Sequence, residues 1–316
     1  MYDMTATHKA STAAKAFRDS GQDSRERGRE KTLKVLEWVY RWRWIAPDLV
    51  PQLVGAQSRG FASGLVAKGL LHEVQTYQAT ASGCPGKILF LTKAGHRLLL
   101  ESGFFNRRNY TFGNRFNEKL LMHDSVVQRV TLEWLQSERR AEEQPRDYIT
   151  QYEYRDDLPV DALGPKRPDV VWLRANTSGD LLMTAIEVEL TRKNAEQLPK
   201  FRRQCIQMLE KRAIEDVLIL APSTGLLEAY AKALAAHTEW TWTEELTGLT
   251  QFERISADDA RRFKFTHLAG TPMRLDREGV GQLLQVTNPT WLRHSAEHQA
   301  EETRPAPRRS LWDLLV

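Results

Sequence analysis

Apolar positions recur at helical spacing from Lys31, at Leu33, Leu36, Val39, Tyr40 and Ile45, until Ala46-Pro47-Asp48 breaks the pattern and restarts it. Asp48 to Val54 predicts a second, short helix that Gly55 ends. Ser58 to Lys68 predicts a third, with Phe61, Leu65 and Val66 inward and Gln57, Ser58, Arg59 and Lys68 outside. Leu70–Tyr77 and Lys87–Leu91 read as strands, separated by the turn-rich Thr80-Ala81-Ser82-Gly83-Cys84-Pro85-Gly86 that suits a hairpin tip. Three helices and a hairpin make a winged helix-turn-helix, spanning 30–103 and running on into a fourth helix from Thr92. Trp38, Trp42 and Trp44 fit its core better than they fit base stacking.

Residues 1–29 are small, polar and charged, and bury too little to order themselves, so a flexible basic arm is expected there. A basic and aromatic stretch at 104–117 reads as a linker. Beyond it a helix pattern covers Glu118–Ser137. Strands are then expected at Tyr148–Tyr154, Asp169–Leu173 and Leu181–Leu190, a long helix from about Arg192 to Arg212, a strand at Val217–Leu220 and a helix at Leu226–Ala236. After that the pattern weakens into Trp240 and Trp242, a strand at Phe252–Ile255 and irregular structure. The αβββαβ order defines a second domain at 118–265. The extension at 266–316 ends in a basic, proline-rich spacer and an apolar tail, Ser310–Val316, of the kind that docks on a surface or a partner.

With 316 residues, 41% hydrophobic and 27% charged, the chain can support two cores. No apolar run approaches the roughly 18 residues of a membrane span, and no secretory signal is seen, so a cytoplasmic, membrane-free protein is expected. Cys84 and Cys205 form no CxxC pair, which removes a cysteine zinc site. P-loop, HExxH and G-x-S-x-G signatures are also absent. Charge changes the picture more. Up to residue 116 there are 18 Lys and Arg against 9 Asp and Glu, and beyond it 27 against 32, a net +9 followed by −5. A basic module joined to an acidic one points to a first domain that touches double-stranded DNA, with Gln57, Ser58, Arg59 and Lys68 on the third helix and Lys87 on the wing as contacts.

Candidate chemistry lies in the second domain. Arg167-Pro168-Asp169 leads one strand, and Glu187 and Glu189 stand two apart on the next, so a period of 2 sends both to one face while Ile186, Val188 and Leu190 take the other. Three carboxylates so placed suit Mg²⁺ or Mn²⁺, which can activate water and neutralise charge on a phosphate.

This αβββαβ order, with Pro168-Asp169 on its second strand and Glu187-x-Glu189 on its third, resembles the PD-(D/E)XK restriction-endonuclease-like fold over about Glu118 to Pro222. With the winged helix, Met122-His123-Asp124 and Glu187-Val188-Glu189-Leu190-Thr191-Arg192-Lys193, the whole resembles the C-type mobilisation relaxases (MOBC) and the related replication-relaxation proteins. The resemblance implies a metal-dependent DNA nickase acting in mobilisation or replication of plasmids and mobile elements. It implies Asp169 and Glu187 as metal ligands and His123 as an assisting one. Glu189 departs from the pattern, because the usual residue there is a lysine that stabilises the attacking hydroxide, and a glutamate supplies no positive charge. Related families carry the lysine on the following helix, which points to Lys193 or, further on, Lys200, with Glu189 as third ligand or base. Two other readings stand beside the nickase. One is a non-catalytic DNA-binding regulator with a degenerate nuclease-like domain; the other is an adaptor whose tail recruits an ATPase or accessory partner.

Overall fold

The structure is a computed structural model that describes residues 23–55, 60–76, 84–104, 116–137, 146–153, 167–175, 181–210, 214–243 and 250–268. It is a mixed α/β chain of two compact units, and no helix among the described residues is long and apolar enough to cross a membrane.

The first unit opens with α1, Ser24–Trp42. This helix starts inside the expected arm because Asp23 caps it, accepting the Arg25 backbone N–H, and Glu26 sits in the first turn where the helix dipole favours an acid. Arg43 ends it at φ 71° in the left-handed region. Strand β1 (Trp44–Ile45), helices α2 (Leu49–Val54) and α3 (Gly60–Ala67), strands β2 (Leu71–Gln75) and β3 (Lys87–Leu91), and helix α4 (Lys93–Glu101) follow. The strands form one sheet in the order β1-β3-β2, with Trp44 opposite Phe90. Trp38, Trp42 and Trp44 are all buried, as their pattern predicts. On α3 the inward residues are Ala62 and Leu65, while Phe61 and Val66 are only half-buried. One glycine is required by space. A Cβ on Gly95 would stand 2.2 Å from the backbone oxygen of Leu70, so α4 can lie on the turn after α3 only with glycine there.

The second unit is built on α5 (Leu121–Ser137), entered through a 3₁₀ turn at Glu118–Leu120, and on a five-stranded sheet. Strands β4 (Arg146–Thr150), β5 (Val170–Ala175) and β6 (Leu181–Val188) run antiparallel to one another. Helix α6 (Gln197–Glu210) carries the chain to β7 (Asp216–Ala221), parallel to β6. Helix α7 (Thr224–Ala233), the two-stranded ribbon β8 (Glu239–Thr243) and β9 (Thr250–Arg254), and helix α8 (Ala257–Arg262) come next. Strand β10 (Phe263–His267) then returns to lie parallel to β7, giving the order β10-β7-β6-β5-β4. Val171, Leu173, Ala185, Val217 and Ile219 pack on one face with Phe201, Cys205, Met208 and Leu209 of α6. On the other face Trp172 stacks on Trp134 of α5 at 4.6 Å. With helices on both faces the central strands carry continuous apolar runs.

Four expectations change. The strand expected to reach Tyr154 stops at Thr150, because Glu153 folds back and its Oε2 accepts the Thr150 N–H at 2.7 Å, which diverts the backbone into a turn. The long helix starts at Gln197 and not at Arg192, since Asn194 accepts the N–H groups of Glu196 and Gln197 and acts as a cap at that point. The third strand ends at Val188, one residue short of Glu189. Irregular structure was expected after Ile255, yet α8 and β10 are regular and the sheet runs to His267, past the boundary at 265.

Candidate functional site

The register that pairs Val170 with Ile186 brings Asp169, immediately before β5, beside Glu187 near the end of β6. Asp169 is fixed at both ends: its N–H donates to Ile186 O at 3.1 Å and its Oδ2 accepts the Val188 N–H at 2.8 Å. Glu187 is only 3% exposed. Desolvating a carboxylate that deep costs several kcal/mol, roughly, unless positive charge or donors face it.

Positive charge comes first from the start of α5. Nε2 of His123 lies 3.2 Å from Asp169 Oδ2 and 3.0 Å from Val188 O, and Nδ1 lies 3.3 Å from Asp124 Oδ1. Burial favours the neutral ring, but the Asp169 charge, hydrogen bonds to both aspartates and the Asp124 charge outweigh it and push the pKa up to about 11. An imidazolium donates from both nitrogens and has no lone pair left. His123 therefore faces Asp169 as a counter-charge, with its ring between two oxygens that a bound cation would also seek. Asp124, itself 4% exposed, is held by the Tyr152 hydroxyl at 2.6 Å and by Gln151 Nε2 at 3.3 Å.

Glu189 follows β6, its N–H donating to Leu220 O at 2.8 Å. Its carboxylate accepts from Lys193 Nζ at 2.6 and 2.7 Å and from the Tyr230 hydroxyl at 2.9 Å. Burial, then the Glu189 charge, drives the Tyr230 pKa upward, so this phenol stays a donor. Lys193 was expected on the following helix, but the structure places it in the loop four residues ahead of α6, over the Phe201 ring at 4.7 Å.

All the residues expected to act on phosphate, His123, Asp169, Glu187, Glu189 and Lys193, line one cavity of about 520 Å³ together with Arg167 and Lys200. The expected DNA contacts fall into two sets. Lys68 is exposed just after α3 and Lys87 is exposed at the start of β3. Gln57, Ser58, Arg59 and the Ser310–Val316 tail lie outside the described residues.

A hard divalent ion suits this donor set. Mg²⁺ is commonly bound through one or two carboxylates plus substrate phosphate oxygens, and Asp169 and Glu187 are the residues that would supply the pair. Among the described residues no group of three or more His, Cys, Asp or Glu side chains forms a metal cage.

Asp124, Tyr152 and Tyr230 were not anticipated as parts of the site. Asp124 stands beside His123 in the stretch Met122-His123-Asp124 that carries the resemblance, and only its role as a partner of that ring was not expected. Nothing in the spacing marks Tyr230, 41 residues from Glu189 and buried within a helix pattern that fits a core aromatic equally well. No family model matches the chain, and neither the curated proteins nor the solved structures give a match.

Proposed function

We propose that this chain is a DNA-binding, metal-dependent nicking endonuclease of the relaxase type, acting on a transfer or replication origin of a plasmid or mobile element. One observation carries the reading. Two carboxylates at adjoining ends of β5 and β6, a histidine and a lysine share a single cavity whose other basic residues are Arg167, Arg192 and Lys200. The element order supports the finer fold reading, with three helices and a β1-β3-β2 sheet suiting a winged helix, and the antiparallel, antiparallel, parallel run from β4 to β7 suiting a PD-(D/E)XK core.

On this reading Asp169 and Glu187 hold Mg²⁺ or Mn²⁺, which supplies Lewis-acid neutralisation of charge on the scissile phosphate. The chain's own residues do the rest. His123 keeps Asp169 ionised and oriented. Arg167, Lys193 and Lys200 give the cavity a positive lining that draws in a phosphodiester backbone. The winged helix docks its third helix in the major groove, with Lys68 and Lys87 on phosphates.

Supercoiled plasmid carrying a cognate origin, incubated with the protein and Mn²⁺, tests this. Open circles should form, chelator should stop them, and Asp169→Ala should reduce the rate about a hundredfold or more. Equal nicking by Asp169→Ala would sink the proposal. A second reading, a non-catalytic DNA-binding regulator, is favoured by the glutamate at position 189, and it requires DNA binding that neither chelator nor Asp169→Ala alters.

A further inference from the structure

The turn from Glu189 to Lys193 belongs to no strand or helix, so the contact between these two side chains is not a by-product of helical spacing. Four contacts, made by Tyr230 and Phe201, enclose it. The Tyr230 hydroxyl reaches Glu189 Oε2 at 2.9 Å with Thr191 O at 3.3 Å, so one phenol spans both the anchor and the backbone of the turn. The Tyr230 ring packs edge-on against Phe201 at 5.4 Å, and Phe201 in turn lies under the Lys193 ammonium at 4.7 Å. Tyr230 itself is 2% exposed, so its hydroxyl was buried to meet these partners and not water. A carboxylate that gives both oxygens to an ammonium at 2.6 and 2.7 Å is already neutralised and has little left to offer a second cation.

We infer that Glu189 is the anchor of Lys193 and not a ligand of the divalent ion, and that Tyr230 is the residue that positions this anchor. On the nicking reading, a lysine four residues on thus stands in for the one that the resemblance expects at position 189, held by the glutamate found there. The catalytic use of that charge rests on the nicking reading above; the anchoring does not.

Two measurements on the full chain separate them. Acetylation of Lys193 by acetic anhydride, followed by mass spectrometry, reads the ion pair directly. Glu189→Gln should speed it about tenfold and Tyr230→Phe about threefold, in line with direct loss of the ion pair and with loss of one hydrogen bond to the same carboxylate respectively. Titration calorimetry with Mn²⁺ reads the ligands. Glu189→Gln and Tyr230→Phe should each keep the affinity within about twofold, whereas Asp169→Asn should abolish binding. In nicking, both variants should lower kcat at unchanged KM for DNA, and the double variant should be no slower than Glu189→Gln alone, as expected when two residues act through one group. The inference is overturned if Glu189→Gln loses Mn²⁺ as Asp169→Asn does, or if Lys193 acetylates at the wild-type rate in both variants. A wild-type chain that neither binds Mn²⁺ nor nicks overturns the nicking reading, while acetylation still decides the anchor.

Discussion

At the scale of single residues the second unit places acids in three different settings, and each has a different consequence. Asp169 is faced by a cationic ring, Glu189 by an ammonium and a phenol, and Asp216 by neither at close range, its nearest amine being Lys264 Nζ at 3.9 Å. Burial raises the Asp216 pKa, and the charges of Lys264, Arg174 and Arg262 only partly oppose it. The sign of the effect on stability follows. A carboxyl whose pKa is higher folded than unfolded favours the fold while protonated, so its contribution is complete below the unfolded value of 3.8 and is lost as pH rises through the folded one. Asp216→Asn removes the loss. Chemical denaturation of variant and wild type should then give a stability difference that moves in favour of Asp216→Asn as pH climbs through the acid range. A difference that stays flat, or that moves the other way, would show that the basic neighbours dominate.

At the scale of elements, α4 is set by its first residue's neighbour. Thr92 caps it by accepting the Gly95 N–H at 3.0 Å, and the same hydroxyl donates to Gly69 O at 2.7 Å or Leu70 O at 3.0 Å, tying the helix start to the turn after α3. Thr92→Ala should cost about 1–2 kcal/mol, the usual range for a lost N-cap, while Thr92→Ser should cost much less. Thermal unfolding of the two variants decides it, and equal melting temperatures would remove the hydroxyl's role. The elements that could be read from the sequence are those whose pattern is their packing. The apolar runs of β5 and β7 and the tryptophans of α1 are legible because burial on both sides leaves no polar choice. Element ends are not legible where a side chain decides them from a distance, as Glu153 does for β4. Strand β10 is the instructive miss: Phe263-Lys264-Phe265 alternates, but five residues without a bounding turn signal leave its pairing with β7, more than 40 residues earlier, to tertiary contact. The site shows the same division. Parity along β6 and the Pro168-Asp169 start carry Asp169, Glu187 and Glu189 into one cavity, and Lys193 follows Glu189 by four residues, whereas the partners His123 of Asp169 and Tyr230 of Glu189 come from helices whose placement no spacing encodes.

At the scale of the whole molecule the chain is divided electrically as well as structurally, with +9 up to residue 116 and −5 after it. A polyanion bound through the first part gains affinity from released counterions, and that term depends on how many phosphates are neutralised and not on the chemistry in the second unit. Lys68 and Lys87 are both exposed, and each amine that meets a phosphate should contribute about one unit to the slope of log affinity against log salt. Fluorescence anisotropy with a labelled duplex, at four or five salt concentrations, should therefore give a slope that is shallower by about one for Lys68→Ala, again by about one for Lys87→Ala, and by about two for the pair. Asp169→Asn should leave that slope where it was, since the cavity would lose a carboxylate without changing the phosphates held by Lys68 and Lys87. If instead the lysine variants bind with the wild-type slope and Asp169→Asn alters it, the polyanion is held by the second unit, and the excess charge of the first serves some other contact.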